Sequence, residues 1–204
     1  MKDVLILCAM GLEAGAIPER YRVVKCGVGF RAAKQSAELA IAEYQPKWIV
    51  SVGTCGALDP GLRIGDVRTV SKILSPIGTF APEVLNAESA VLRSQDRVAV
   101  TVAEKRELYD QGAAIVDMEA AALAEVCREK GLGFACLKAV SDLASEDLPL
   151  DFNRYRDADG RFQHARIAFA GIMKIADLVR LKRQSDQAAK QLGAAIDSSL
   201  ANIT

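Results

Sequence analysis

Short, continuous apolar runs alternate along this chain with longer stretches in which apolar residues recur at helical spacing. Val4 to Ala9 is the first such run, too short for a helix to be preferred and suited to a strand covered on both faces. Arg22 to Cys26 reads as a second strand, stopped by Gly27-Val28-Gly29. From Ala32 to Tyr44 the residues Ala33, Ala37, Ala40 and Ile41 fall on one helical stripe, and Pro46 marks its end. Trp48 to Val52 predicts a third strand running into a Gly53-Thr54-Cys55-Gly56 loop, and Ile64 to Ile73 a fourth with a bend or bulge at Gly65-Asp66.

The pattern weakens from Ser75 to Asp96, where Pro76, Pro82 and several polar residues predict loop and short strand. Arg97 to Val102 then reads as a strand and Ala103 to Tyr109 as a short helix; the apolar Ala113 to Val116 follows, then a helix from Ala120 to Lys130 and a strand from Phe134 to Val140. Leu143 to Gly160 is polar, is broken by Pro149 and reads as an active-site loop. Ala165 to Leu181 repeats apolar residues at helical spacing, with core the preferred use of its stripe over subunit contact, and a second, more polar helix is expected from Ser185 to Leu200. Strands alternating with helices predict one α/β domain, residues 1–204, with a mainly parallel central sheet flanked by helices and no linker or internal repeat.

With 204 residues, half of them apolar, the chain can bury one sizeable core. Its 26 basic and 26 acidic residues balance, which argues against a nucleic-acid surface, and Arg180, Lys182 and Arg183 read as the solvated face of a C-terminal helix. Met1-Lys2-Asp3 leads directly into a strand, so neither a signal peptide nor a membrane span is expected. Cys8, Cys26, Cys55, Cys127 and Cys136 form no CxxC pair and are expected as buried, reduced thiols of a cytoplasmic protein. The single histidine, His164, follows the polar turn Asp157-Ala158-Asp159-Gly160 and is expected at the surface, so no metal or other cofactor is anticipated.

Chemistry concentrates where apolar runs stop. Val116-Asp117-Met118-Glu119-Ala120 and Ala139-Val140-Ser141-Asp142 each put carboxylates at such a place, and the helical crossover between them would bring both to one pocket. Gly27 to Ala32 matches G-x-G-x-x-A between a strand and a helix, but no acid ends the next strand, as a dinucleotide site would want. A plain turn is one reading; a loop whose small residues let backbone amides approach a ligand or an attacking water is the other. Gly53-Thr54-Cys55-Gly56, a hydroxyl between glycines at a strand end, favours ligand contact over a simple tight turn.

Six collinear motifs make the chain resemble the nucleoside phosphorylase superfamily, and within it the methylthioadenosine/S-adenosylhomocysteine nucleosidase-like branch. They are Ala9-Met10-Gly11-Leu12-Glu13, Cys26-Gly27-Val28-Gly29, Val52 to Leu58, Ile64-Gly65-Asp66-Val67, Val116 to Ala120 and Val140-Ser141-Asp142. The resemblance implies hydrolysis of the N-glycosidic bond of an adenosine-type nucleoside by a cofactor-free homo-oligomer. Cleaving that bond passes through a cation-like ribosyl group, so the base must be protonated, the sugar held and a nucleophile positioned. On the matching positions, Asp142 would be the general acid at the purine, its protonation favoured by an apolar strand end and a neighbouring carboxylate. Glu119 would accept hydrogen bonds from the ribose hydroxyls, Met118 would pack on the sugar, and Glu13 would take a proton from water. Thr54, Gly53, Gly29 and Ser141 complete the expected substrate contacts.

Phosphorylases of the superfamily bind phosphate through arginines in the first glycine loop and just before the third-strand glycine. Here Met10-Gly11-Leu12-Glu13 and Ser51-Val52 occupy those places, so water is the expected nucleophile; Arg31, beside the Gly27-Val28-Gly29 loop, leaves phosphorolysis as the alternative, and a non-catalytic nucleoside-binding paralogue is a second. The Val67 to Val116 stretch is shorter than in typical methylthioadenosine nucleosidases, which leaves room for a bulky 5′ group such as that of adenosylhopane or futalosine. Phe80, Phe152 and Phe162 are the candidate stacking partners for the base.

Overall fold

Alternation along the first strand sets the layers of the molecule. In a computed structural model describing residues 3–157, 163, 166–167 and 174–203, β1 (Val4–Cys8) is buried along its whole length. Successive side chains of a strand point to opposite faces. Val4, Ile6 and Cys8 accordingly pack with Ala188, Leu192 and Ile196 of the C-terminal helix. Leu5 and Leu7 pack on the other side, with Ala33, Ala37 and Ala40 and with Leu123 and Val126 of two further helices. A strand covered twice in this way needs a continuous apolar run, which is what Val4 to Cys8 supplies.

The remaining elements in chain order are α1 (Gly11–Ala16), β2 (Arg22–Lys25), α2 (Phe30–Tyr44), β3 (Trp48–Ala57), β4 (Val67–Ser75), β5 (Gly78–Phe80) and β6 (Ser89–Ser94). After them come α3 (Val102–Asp110), β7 (Ile115–Asp117), α4 (Ala120–Lys130), β8 (Gly133–Asp142) and α5 (Ile175–Ser199). The sheet is mixed and mainly parallel, as expected: β1 pairs parallel with β2 and β3, β3 with β8, and β6 with β4 and β7. Antiparallel pairings of β3 with β7 and of β4 with β8 close β3, β8, β4, β6 and β7 into a ring. β3 makes this possible by its length. Its first half pairs with β1 and its last residues, Gly56 and Ala57, pair with Val116 and Ile115.

Several elements differ from expectation. Gly53 to Ala57 is not a loop: β3 runs through it, with a shift of register against β8 between Cys55 and Gly56. Ile64-Gly65 is a turn preceding β4 rather than a bulge within it. Arg97 to Val100 is not a strand, because its amides are used elsewhere, Val98 N–H donating to the Asn153 side chain and Val100 N–H to Glu104; the strand of this region is β6. The short helix α1 was not anticipated. The expected break between Leu181 and Ser185 is absent, since α5 runs unbroken from Ile175 to Ser199; most of the expected Ala165 to Leu181 helix before Lys174 lies outside the described residues. Of the Ala165 to Val179 stripe, Ile175 and Val179 stand exposed rather than in the core, since α5 reaches the sheet only from Ala188 onward; residues 168–173 lie outside the described residues. Arg180, Lys182 and Arg183 are exposed, as expected.

α5 meets α1 at Gly193, where a Cβ would press on the backbone oxygen of Ala16. Nothing lies within 4 Å of the Cβ position of Gly15. Gly193→Ala is therefore expected to lower unfolding stability by about 1–3 kcal/mol through overpacking, whereas Gly15→Ala should be neutral or stabilising by up to ~1 kcal/mol through helix propensity. Denaturant titrations of the two variants check this.

Candidate active site

The carboxyl ends of β1, β7 and β8 meet alongside the C-terminal half of β3, and the side chains in and just beyond them enclose a cavity of about 380 Å³. Glu13, Thr54, Met118, Glu119, Ser141 and Asp142 all line it. Its outer wall is apolar, formed by Met10, Val98, Leu148, Phe152, Ile167 and Leu181. The two acid-bearing segments read from the sequence thus do face one space.

Glu13 reaches the cavity because α1 begins as soon as β1 ends. Its Oε2 accepts the Met10 N–H at 2.9 Å, three residues back, as an acid in a helical first turn can. Its Oε1 accepts from the Thr54 N–H at 2.8 Å and the Thr54 hydroxyl at 3.0 Å. Although Glu13 is buried, three donors satisfy it without a cation. The close approach also explains Gly53, whose Cβ would stand 3.0 Å from Glu13 Oε1.

Glu119 sits at the start of α4, and its Oε1 accepts the Gly29 N–H at 3.0 Å. Gly29 has φ +91°, which side chains rarely adopt, and a Cβ there would meet Arg156 and Asp96. Burial and then the charge of Asp117 push the Glu119 carboxyl up to about 8. Asp117 caps α4 through the Ala120 N–H at 3.1 Å and pairs with Lys138 at 2.8 Å. Lys138 also donates to the Ser51 hydroxyl at 3.2 Å. Burial opposes the Lys138 charge, but the Asp117 charge holds it well above the usual lysine range.

Asp142 ends β8 in the space that Gly56 leaves, where a Cβ would stand 3.0 Å from its Oδ1. Ser141 Oγ lies 3.2 Å from Asp142 Oδ2 and 3.2 Å from the Cys55 carbonyl. Expectation is corrected at the other oxygen. The group placed directly against Asp142 is not a second carboxylate but an ammonium, Lys105 Nζ, 2.5 Å from Oδ1.

Two other expectations need correction. Gly53 and Gly29 do not line the cavity: one gives room to Glu13 and the other spends its N–H on Glu119, so both shape the site through its carboxylates. Of the aromatic candidates, Phe152 lines the cavity, whereas Phe80 is remote, beneath Arg128 at 5.0 Å; Phe162 and His164 lie outside the described residues. Lys105, Lys138 and Arg97 were missed, whereas Leu148 and Phe152 come from the segment read as an active-site loop. Arg31 is not part of the lining, and Arg97, which is, pairs with Glu104. Among the described residues no group of three or more His, Cys, Asp or Glu could hold a metal ion, and no helix is long and apolar enough to cross a membrane.

Comparison with known proteins agrees with this architecture. The sequence pattern of the phosphorylase superfamily matches residues 12–81 and 87–180. A 5′-methylthioadenosine/S-adenosylhomocysteine nucleosidase of a Marinomonas species is 27% identical over 168 residues, 65% of this chain and 72% of that protein. A mutant Helicobacter pylori nucleosidase with 5′-methylthioadenosine in its active site superposes with a TM-score of 0.74 at 15% identity, over 98% of both chains. Futalosine hydrolase of the same organism, also a mutant, gives 0.72 at 15% identity, again over 98% of both.

Because burial raises the Glu119 carboxyl from 4.5 to about 8, the folded protein favours its protonated form. Its contribution to stability is full below the unfolded value and is lost as the pH rises through the folded one. Wild type should therefore lose stability relative to Glu119→Gln between about pH 4.5 and pH 8, by a few kcal/mol. Denaturation midpoints of both proteins across that range check it.

Proposed function

The chain belongs to the phosphorylase superfamily, and from that premise we propose that it is a purine nucleosidase, hydrolysing the N-glycosidic bond of an adenosine-type nucleoside. One observation carries the reading: three buried carboxylates, Glu13, Glu119 and Asp142, border a single cavity of nucleoside size, each with a different set of partners. In the proposed reaction Glu119 accepts hydrogen bonds from the ribose hydroxyls and faces the positive charge that grows on the sugar. Met118 packs against the sugar. Asp142 passes a proton to the purine ring as the C–N bond breaks, and Glu13 takes one from the water that attacks C1′. Thr54 holds Glu13 by two hydrogen bonds and so fixes where that water stands.

Water is favoured over phosphate by the charges of the lining. A phosphate dianion is bound by arginines or oriented amides. Here the nucleophile side carries Glu13, whose charge would repel it, and the Thr54 and Met10 amides are already spent on that carboxylate. Lys138 is engaged by Asp117 and Ser51. The relatives named as nucleosidases and as futalosine hydrolase support the hydrolytic reading and an adenosine-type or related substrate. An apolar outer wall suits a 5′ substituent larger than a hydroxyl. The same reading takes the protein as a homo-oligomer, with Ile175 and Val179 as exposed apolar side chains available for contact, and as cytoplasmic, where its five free, buried thiols stay reduced.

Incubation with a panel of purine nucleosides, with and without added phosphate, tests the proposal by the release of free base. Base should appear at the same rate without phosphate, and a rate that depends on phosphate with ribose 1-phosphate as product would select phosphorolysis instead. Glu13→Gln and Asp142→Asn should each lower kcat by about 10²–10⁴-fold, roughly 3–5 kcal/mol of barrier. Bound nucleoside with no base released by the wild type would identify a binding protein.

A further inference from the structure

Among the described residues Lys105 is the largest fully buried side chain, and it lies on α3, a helix that buries only Lys105 and Leu108 and turns Arg106 and Asp110 to solvent. Its three ammonium protons have three acceptors: Asp142 Oδ1 at 2.5 Å, the Leu143 carbonyl at 2.6 Å and the Glu146 carbonyl at 3.1 Å. All three acceptors belong to the end of β8 and the segment that follows it. An ammonium can only donate, so Asp142 Oδ1 is committed as an acceptor. Oδ2 has a different neighbour. The Ser141 hydroxyl has one proton and stands within donating distance of both the Cys55 carbonyl and Oδ2, so Oδ2 is the carboxyl oxygen turned away from the ammonium.

Resting on the nucleosidase reading above, we infer that Lys105 is a positioning residue for the leaving-group acid. It pins Asp142 by Oδ1, so that the proton Asp142 takes up from solvent for transfer sits on Oδ2, and its charge, which favours the anion, drives the acid to give that proton up. The balance is simple. The Oδ2–H bond breaks and an N–H bond forms on the purine, while the C1′–N bonding pair leaves with the base. Asp142 becomes an anion beside an ammonium already in hydrogen-bond contact, so no solvent has to reorganise around it. The same ammonium holds the first turns of the segment that carries Leu148 into the cavity wall, with Glu146 tied further to Leu143 N–H and to Gln184 of α5. Lys105 thereby couples the acid to the wall without touching substrate.

The test compares wild type, Lys105→Met and Lys105→Arg on the nucleoside that wild type cleaves, together with calorimetric affinity for its C-nucleoside analogue, which fits the site but has no breakable C–N bond. Lys105→Met should lose about 50- to 100-fold in kcat, with KM and C-nucleoside affinity within threefold of wild type. Lys105→Arg, which keeps the charge but not the three-way geometry, should lose about five- to tenfold. An unchanged kcat in Lys105→Met, or a fall in kcat matched by loss of C-nucleoside binding, overturns the inference, the second outcome marking a purely structural lysine. Where Lys105→Met does not fold, Lys105→Arg decides: its predicted fall with affinity kept supports the assignment, and wild-type kcat overturns it. A wild type that frees no base from any nucleoside defeats the nucleosidase reading itself, whereas an active wild type with an indifferent Lys105 defeats only this inference.

Discussion

Burying carboxylates where the ends of β1, β7 and β8 meet the C-terminal half of β3 is the constraint around which this molecule is arranged. Glu13, Asp117, Glu119 and Asp142 are all nearly inaccessible to water, and an isolated charge in such a place would cost several kcal/mol. The fold meets that cost unevenly. Asp117 and Asp142 each have a buried lysine, Glu13 has three neutral donors, and Glu119 has one backbone N–H and an adverse neighbour. That unevenness gives four carboxyl groups different surroundings, which is what the proposed division of roles rests on. The satisfied acids are held in place, and the poorly satisfied one is ready to gain from a ligand that brings hydroxyls or positive charge.

The sheet topology explains why these groups meet. β3 is long enough to pair with β1 at its start and β7 at its end, while β8 runs beside it for nearly its whole length. Closing β3, β8, β4, β6 and β7 into a ring brings Asp117 and Asp142 to the same end as Thr54. Small residues then make the last approaches possible. Gly53 admits Glu13, Gly56 admits Asp142, and a side chain at Gly29 would collide with the Asp96–Arg156 pair.

Much of this could be read from the residues alone. The apolar runs that became β1, β3 and β8 and the alanine stripe of α2 have the periodicities their environments require, and the acids at strand ends marked the site. What escaped reading depended on distant partners. Gly53-Thr54-Cys55-Gly56 has loop composition, yet β8 alongside keeps it in the sheet. The β-branched Arg97 to Val102 has strand composition, but Asn153 and Glu104 take its amides, whereas Ser89 to Ser94 is paired on both sides. Lys105 carried no local signal, since a lysine among charged helical residues is ordinarily solvated. Lys138 did carry one: a lysine within the apolar run Phe134 to Val140 must be buried with a partner, and an acid was available in Asp117.

In the proposed reaction one cavity divides base, sugar and nucleophile among Asp142, Glu119 and Glu13. A crystal structure with a C-nucleoside bound tests it most directly. A purine ring nitrogen is expected within about 2.6–3.2 Å of Asp142, ribose hydroxyls at the same range from Glu119, and a water between Glu13 and C1′. A ligand seated with its sugar against Asp142, or bound outside this cavity altogether, would contradict it.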